Sequence, residues 1–170
     1  MTNPQPEMEP VPVSVSRVEM TQLVLPGDTN SLGTAFGGRI MAWIDIAAGI
    51  AAGRHCGGPV VTASADDIHF IRPIHQGHVV VLHAQVNYVG TTSMEVGVRV
   101  EGERWGGDRY HALTAYTTFV ALDSSGRPRP VRKLLVQSEE DRRRAEEAGT
   151  RMAERRARRE HRAARLERVP

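Results

Sequence analysis

The sequence predicts an α+β domain in which an antiparallel sheet curls around one central helix. Residues 38–55 carry apolar side chains at helical spacing, whereas four later segments alternate and are rich in Val, Thr, Ile and Tyr, as strands are. These segments are 60–71, 78–88, 94–103 and 110–122. Because no helix separates them, we expect them to pair as antiparallel neighbours.

A further strand and a glycine-rich loop precede the helix. Residues 16–25 are strand-like, the turn residues Pro26-Gly27-Asp28 end them, and the loop spans residues 30–38. In the helix, Ile40 and Ile44 lie on one apolar stripe, but the opposite face is apolar as well. A helix that is apolar nearly all round is predicted to be buried on all sides.

Asp45 is the most informative residue because it lies about two turns inside this apolar helix. Its neighbours three and four residues away are Met41, Ala42, Ala48 and Gly49, so no local cation can pair with it. Burying an unpaired carboxylate costs several kcal/mol. Asp45 is therefore either satisfied across an interface, by another chain or by solvent, or it is a nucleophile or general base.

Asn30 and the glycine pair at the start of the helix could also take part in chemistry. Asn30 lies in a turn, and turn chemistry alone accounts for an asparagine there. Gly37 and Gly38 either only permit the turn, or they let bare N–H groups at the positive end of the helix polarise a carbonyl oxygen.

Charge divides the 170-residue chain, whose formal net charge is +2 and whose pI is about 9.1. Residues 1–138 carry 11 basic and 12 acidic residues, whereas residues 139–170 carry 11 and 8. We predict a flexible lead-in (1–15), a folded domain (16–137) and an Arg/Glu-rich helical tail (138–170). An independent tail could be deleted without loss of activity.

A nucleic-acid or membrane-surface adaptor is the alternative function for this tail. Its eight acidic residues and its lack of interleaved aromatic side chains count against both partners, so we expect no nucleic-acid partner. Deleting the tail would distinguish the two interpretations.

Composition and motifs exclude several other classes. The single cysteine, Cys56, forms no internal disulfide, and the seven histidines lack metal-ligand spacing, so we expect no metal. The chain has no phosphate-binding glycine loop and no serine-hydrolase elbow around Ser93. With no signal-peptide pattern and no apolar run of roughly 20 residues, we expect a cytoplasmic protein without membrane insertion.

Five segments together resemble the hotdog-fold acyl-CoA thioesterases, in the bacterial single-domain type of the cytosolic acyl-CoA hydrolase family. They are NSLGTAFGGRIMAWID (30–45), VVTAS (60–64), FIRPI (70–74), GTTSME (90–95) and TFVALD (118–123). The resemblance extends from about residue 18 to residue 131 and includes neither the lead-in nor the tail. It implies a hotdog fold, an antiparallel sheet wrapped around a long central helix, which agrees with the fold class predicted above.

The resemblance implies hydrolysis of acyl-CoA to free coenzyme A and a carboxylic (fatty) acid. Coenzyme A is part of the substrate, so no cofactor is implied. The family acts as homodimers, commonly as trimers of dimers, with active sites between subunits. Here Asp45 would be nucleophile or general base and would meet Asn30 of the other subunit, which orients the water or the carbonyl. The N–H of Gly38, with that of Gly37, would stabilise the oxyanion.

The resemblance also implies residues that bind substrate. Thr62 would line the acyl site, and Arg72 would contact a phosphate. The residues expected along the coenzyme A arm are Gly90, Thr92, Ser93 and Met94. The alternative is a hotdog protein that binds acyl-CoA without hydrolysing it, and the presence of both Asp45 and Asn30 counts against it.

Overall fold

Five strands form the main sheet of this protein in a computed structural model, which describes residues 8–66 and 68–166. The strands in this part of the chain are β1 (Val11–Pro12), β2 (Val18–Leu23), β3 (Val60–Ala65), β4 (Val79–Val89), β5 (Ser93–Glu103), β6 (Arg109–Ala121) and β7 (Leu134–Leu135). The α-helices are α1 (Gly37–Cys56) and α2 (Glu139–Leu166), and 3-10 turns span Val13–Ser16 and Pro26–Asp28.

The main sheet has the strand order β2-β4-β5-β6-β3, and every neighbouring pair in it is antiparallel. The predicted antiparallel pairing is therefore confirmed. The predicted strand 60–71 is shorter than expected, because β3 ends at Ala65. β2 and β3 form the two edges of the sheet, and the chain crosses from one edge to the other through α1.

α1 packs across one face of the sheet through small side chains. Its residues with no exposed surface are Ala47, Ala48, Ala51 and Ala52. Such small residues let the helix approach the strands closely, and a Cβ built at Gly49 would lie 3.6 Å from Phe119 Cε1 on β6. The helix ends where Gly57 adopts a left-handed conformation at φ 68°.

The prediction that α1 is buried on all sides is wrong for the single chain. Met41, Ile46 and Ile50 remain 47%, 52% and 42% exposed. Asp45 shares this exposed face, and the neighbouring residues 61–65 of β3 are exposed as well. The sheet therefore covers only one side of the helix and leaves an apolar strip uncovered.

α2 packs on the opposite face of the sheet. Ala148 has no exposed surface, and a Cβ at Gly149 would lie 3.6 Å from the ring of Tyr88 on β4. Ser138 begins the helix: its Oγ accepts a 3.1 Å hydrogen bond from the backbone N–H of Asp141. The structure thus shows a helix docked along part of its length, not an independent tail.

The N-terminal segment also packs on the domain. Val11 and Val13 are buried, and β1 pairs with β7 in parallel. Residues 1–7 and 167–170 lie outside the described residues. The three-part division at residues 15 and 137 stays a prediction, although described residues on both sides of each boundary contact the sheet domain.

None of the described helices is long and apolar enough to cross a bilayer.

Candidate active site

Asp45 and Thr62 form a hydrogen-bonded pair at the uncovered face of α1. The Thr62 hydroxyl donates to Asp45 Oδ1 over 2.6 Å. Thr62 is paired with Phe119 across the sheet, and Phe119 faces α1, so the pleat directs Thr62 towards the helix. Two residues that the sequence singled out for separate reasons are therefore in contact.

The Asp45 carboxylate is exposed in the single chain, in contrast to the buried carboxylate that the sequence predicts. Among the described residues, Thr62 is its only hydrogen-bond donor. Thr62 occupies Oδ1 and fixes the orientation of the group, which leaves Oδ2 available to a water molecule or a substrate.

A cleft of about 370 Å³ lies beside the N-terminus of α1. It is lined by Asn30, Thr34, Ala35, Gly37, Ile40 and residues 70–74. The structure thus brings together three predicted site residues, Asn30, Gly37 and Arg72. Phe70 and Ile71 leave 49% and 61% of their surface exposed, so one wall of the cleft is apolar and open.

Asn30 holds the loop that borders this cleft. Its Oδ1 accepts hydrogen bonds from the backbone N–H groups of Leu32 (2.9 Å) and Thr34 (3.2 Å), and its Nδ2 donates to Thr34 Oγ1 (2.9 Å). The turn interpretation of Asn30 is therefore correct. The same bonds fix the amide at the cleft, where the second Nδ2 hydrogen can donate to a ligand.

Gly37 and Gly38 supply backbone donors at the start of α1. The N–H groups of Arg39 and Ile40 already donate to Phe36 O, at 2.9 and 3.1 Å. Those of Gly37 and Gly38 have no acceptor among the described residues. Since both lie at the positive end of a 20-residue helix, they can stabilise an oxyanion.

Both glycines also make room for aromatic rings. A Cβ at Gly38 would lie 2.5 Å from Phe36 Cε1, and one at Gly37 would lie 3.4 Å from Phe70 Cζ. Any larger residue at position 38 would displace the Phe36 ring from the helix start.

The chemical groups lie in two separate places within one chain. Gly38 and Asp45 are seven residues apart on the same helix, which is about 10 Å along its axis. One carbonyl carbon cannot lie within bonding range of the Asp45 carboxylate while its oxygen contacts the Gly38 N–H. A single chain therefore holds two half-sites, one with Asp45 and Thr62 and one with the cleft.

The segment that carries Arg72 is anchored by β6. Ile71 N–H donates to Ala112 O (2.9 Å), and the Tyr110 hydroxyl donates to Pro73 O (3.0 Å). Burial raises the pKa of Tyr110, which keeps its hydroxyl proton available for this bond. His78 Nδ1 lies 3.1 Å from the same hydroxyl.

The pKa of His78 is lowered, first by burial and then by the positive charges of His75 and Arg104. A neutral His78 adds no positive charge beside the Tyr110 hydroxyl. Among the residues that line the cleft itself, Arg72 is the one with a positive charge.

The segment predicted to lie along coenzyme A is the turn between β4 and β5, away from the cleft lining. Gly90 N–H donates to Ser93 O (2.8 Å) and closes the turn, and Thr92 O accepts from Ala121 N–H (3.0 Å). Met94 has no exposed surface and packs in the core, so its side chain cannot reach a ligand. Binding by the rest of this turn stays a prediction.

The sequence did not single out a charged cluster on the outer face of the sheet, which we call the α2 clamp: Asp66, Glu95, Arg151 and Arg155. Arg151 donates to Glu95 Oε1 (2.7 Å), and Arg155 donates to both oxygens of Asp66 (2.7 and 2.9 Å) and to Glu95 Oε2. The sequence does contain the components of this cluster: an acidic residue in the GTTSME segment and two arginines four residues apart in the tail. Nothing in the sequence says that they meet.

The described residues contain no group of three His, Cys, Asp or Glu side chains that could hold a metal ion.

Comparison with known proteins identifies the family. The profile of the thioesterase superfamily matches residues 32–104. The chain is 47% identical over 127 residues to YkhA of Bacillus subtilis, described as an uncharacterized acyl-CoA thioester hydrolase, and the match covers 74% of each chain. The chain belongs to the hotdog-fold acyl-CoA thioesterases. This confirms the family and the fold that the sequence predicts.

Another relative of this thioesterase is the mouse cytosolic acyl coenzyme A thioester hydrolase, which is 35% identical over 161 residues. That match covers 92% of this chain but 42% of the mouse protein, so this chain spans less than half of that relative.

Solved structures match this thioesterase over most of its length. Acyl-CoA hydrolase from Staphylococcus aureus, in complex with butyryl coenzyme A and coenzyme A, has a TM-score of 0.86 and 37% identity, over 92% of this chain and 96% of that one. A hexameric acyl-CoA thioesterase has a TM-score of 0.85 and 41% identity, over 89% and 97%.

Three further structures are Staphylococcus aureus acyl-CoA hydrolase variants in which an aspartate, a threonine or an asparagine is replaced by alanine. The first of these, with a TM-score of 0.88, covers 95% of this thioesterase. The unmatched 5% is far shorter than the 28 residues of α2, so the match includes part of that helix. In that relative the match therefore extends into the segment that the sequence resemblance does not include.

Proposed function

We propose that this thioesterase hydrolyses acyl-CoA to free coenzyme A and a carboxylic acid at a site formed between two copies of the chain. The observation that carries the proposal is the separation of its two half-sites. The Asp45–Thr62 pair lies on an exposed apolar face, about 10 Å along α1 from the unpaired N–H of Gly38. Two copies can supply both halves to one substrate.

The uncovered strip of α1 supports a homodimer. Met41, Ile46 and Ile50 expose apolar surface beside the edge strand β3, whose outer backbone groups have no strand partner among the described residues. A second copy can bury the strip and continue the sheet at this edge. The hexameric relative supports a higher oligomer, and we propose that the dimer is its unit, in a trimer of dimers.

In the proposed mechanism, the thioester carbonyl enters the cleft of one copy. There the N–H of Gly38, with Gly37 beside it, accommodates the developing oxyanion, and such a donor contributes about 3 kcal/mol to transition-state stabilisation. The amide of Asn30 orients the carbonyl or the attacking water.

Asp45 comes from the other copy and acts through Oδ2, because Thr62 occupies Oδ1. It either takes a proton from water, whose oxygen bonds to the carbonyl carbon, or attacks that carbon directly. In the first route Asp45 returns that proton to the coenzyme A sulfur as the carbon–sulfur bond breaks. In the second route coenzyme A leaves as a thiolate, which takes a proton from solvent, and water then hydrolyses the acyl–Asp45 anhydride to release the carboxylic acid and restore the carboxylate.

The Staphylococcus aureus variants support this choice of residues. Their replaced residues are Asn, Asp and Thr in chain order, at intervals of 15 and 17 positions. Asn30, Asp45 and Thr62 have the same order and the same intervals. A protein that only bound acyl-CoA would not need a hydroxyl that orients a carboxylate at the reacting carbon.

Arg72 and the apolar wall of the cleft are proposed to bind substrate. Arg72 is exposed at the cleft rim, where its guanidinium can pair with a phosphate of coenzyme A. Phe70 and Ile71 offer apolar surface to the acyl or pantetheine part. The absence of a cofactor and of a nucleic-acid partner, and the cytoplasmic location, stay predictions.

Asp45→Asn tests the proposal, because it keeps the shape of the side chain and removes its basicity. We expect kcat for coenzyme A release, followed by thiol detection over a series of acyl chain lengths, to fall about a thousandfold. Asp108→Asn is the matched control, since Asp108 is exposed near the β5–β6 turn, and should leave kcat unchanged. A folded Asp45→Asn variant that turns over at the wild-type rate would overturn the proposal.

A further inference from the structure

The α2 clamp lies on the face of the sheet opposite α1, at the end of β3, the strand that carries Thr62. We propose that α2 positions the catalytic pair: Arg155 holds the end of β3 through Asp66 and thereby keeps Thr62 in place against Asp45. This inference rests on the function proposed above for Asp45 and Thr62.

The α2 clamp is a closed, charge-balanced cluster. Glu95 has no exposed side-chain surface, and Asp66, Arg151 and Arg155 expose only 16%, 20% and 13% of theirs. Its two carboxylates face two guanidinium groups. Burial alone would lower the pKa of Arg155, but its hydrogen bonds with Asp66 and Glu95 outweigh burial and raise that pKa, so the residue stays charged.

Arg155 joins three strands at one point. Its Nε and Nη2 donate to Asp66 just after β3, its Nη2 also donates to Glu95 on β5, and its Nη1 donates to Thr118 Oγ1 on β6 (3.0 Å). Glu95 and Thr118 are direct cross-strand partners, and Thr118 is paired in turn with Ser64 on β3. The guanidinium therefore lies over one row of the sheet.

β3 needs such support more than the other strands of the main sheet do. It is a six-residue edge strand, and its register with β6 shifts between Thr62 and Ser64. Thr62 thus stands at an irregularity where the ladder alone fixes the backbone poorly. The ladder resumes after the shift with only two pairs, at Ser64 and Ala65, before the strand ends. After it, Asp66 binds β6 through its backbone (N–H to Tyr116 O, 2.9 Å) and α2 through its side chain.

Arg151 fixes the height of α2 above the sheet. Its guanidinium lies 3.6 Å from the centre of the Tyr116 ring and donates to Glu95. Arg155, one turn further along the helix, consequently reaches Asp66 in a defined geometry. Because the Thr62–Asp45 hydrogen bond is short, a shift of about 1 Å at Thr62 would break it, and displacements of that size can cost about a hundredfold in rate.

Arg155→Gln tests the inference, with Arg156→Gln as the matched control on the next residue of α2. Arg156 is 77% exposed and pairs with Glu160 on the helix surface. At a temperature where circular dichroism shows both variants folded, we expect Arg155→Gln to lower kcat about tenfold and to change KM less than about twofold. Arg156→Gln should leave both unchanged, and Arg155→Lys, which keeps the charge but not the fork, should be intermediate.

Combining Arg155→Gln with a Thr62 variant distinguishes loss of Thr62 positioning from a general structural disturbance. In a Thr62→Val variant the hydroxyl that α2 positions is gone, so adding Arg155→Gln should lower kcat less than about twofold further. An equal tenfold loss in both backgrounds would overturn the inference. So would a wild-type kcat for folded Arg155→Gln.

The Asp45→Asn and Arg155→Gln variants together distinguish a failure of the inference from a failure of the proposed function. If Asp45→Asn is inactive and Arg155→Gln is not impaired, the inference fails and the proposed function stands. If Asp45→Asn is fully active, the proposed function fails. Should Arg155→Gln not fold, Asp66→Asn replaces it, because that variant leaves Glu95 with both arginines and removes only the link to β3.

Discussion

The two helices of this thioesterase pack on opposite faces of one sheet by different means. α1 contacts its face through fully buried alanines, whereas α2 contacts the other face through the buried Ala148 and the arginines of the α2 clamp. An apolar stripe can be recognised in the sequence from its period. Contacts between arginines and a buried glutamate become visible only once the strand faces are known.

The outward faces of the two helices also differ, because that of α1 is partly apolar and that of α2 is charged. α1 exposes Met41, Ile46 and Ile50, whereas α2 exposes arginine–glutamate pairs four residues apart, such as Arg143–Glu147 at 2.7 Å. Each such pair contributes about 0.3–0.5 kcal/mol to the helix by itself and needs no partner. The exposed face of α1 is therefore suited to the contact with a second copy proposed above, whereas that of α2 is suited to water.

A charged residue on the exposed face of α1 is expected to have the largest effect on assembly and activity. Ile46→Glu places a carboxylate where we propose that two copies meet, and burying it unpaired would cost several kcal/mol. We expect smaller species in sedimentation velocity. Because the proposed site needs two copies, kcat/KM for acyl-CoA should fall by about a hundredfold or more.

Ala157→Glu is the matched control, because it adds the same charge to an exposed position of α2. It should leave the assembly and the rate unchanged. A fully active Ile46→Glu variant with the wild-type sedimentation coefficient would show that the two outward faces are equivalent.

Deletion of α2 from Ser138 onward is expected to have the next largest effect. An independent tail, as the charge pattern alone predicts, would be removed without consequence. The packing predicts otherwise, because Glu95 loses both arginines and β4 loses its contact with Ala148 and Gly149. We expect the free energy of unfolding, from urea titrations followed by circular dichroism, to fall by about 3 kcal/mol.

Salt-sensitive nucleic-acid binding by the full chain, lost on deletion, would instead support the adaptor alternative. An unchanged unfolding midpoint would show that the docked contacts of α2 contribute nothing to stability.

The difference between apolar packing and charged contacts also explains which parts of the structure the sequence could predict. The helix predicted at 38–55 is observed as Gly37–Cys56, because the apolar period and the glycine ends are local signals. The exposure of α1 was missed because the pattern cannot tell whether the chain's own sheet or a second copy covers a face. The α2 clamp was missed because Arg151 and Glu95 are 56 residues apart, a contact that no local pattern encodes.

For the site, the resemblance supplied the residues, and the structure supplied the contact between Asp45 and Thr62. The spacing of the two residues could not predict this contact, because it depends on which face of β3 carries the Thr62 side chain. The two half-sites became apparent only when the cleft with Asn30 and the position of Asp45 could be compared in one chain.

The smallest expected effects come from replacing one comparable glycine in each helix. Gly49 on α1 and Gly149 on α2 both lie inside a helix, and a Cβ at either would lie 3.6 Å from an aromatic ring of the sheet, an ordinary contact. Alanine favours helix over glycine by about 1 kcal/mol. Gly149→Ala should realise most of this gain, because Tyr88 is partly exposed and can adjust to the added methyl group.

Gly49→Ala should gain less, because Phe119 is 2% exposed and is held by the core. Thermal unfolding of the two variants, measured with the same assembly state and without ligand, gives the comparison directly. A loss of stability in Gly149→Ala would mean that α2 needs a glycine to approach β4. The charged helix would then depend on close packing as strictly as the apolar one.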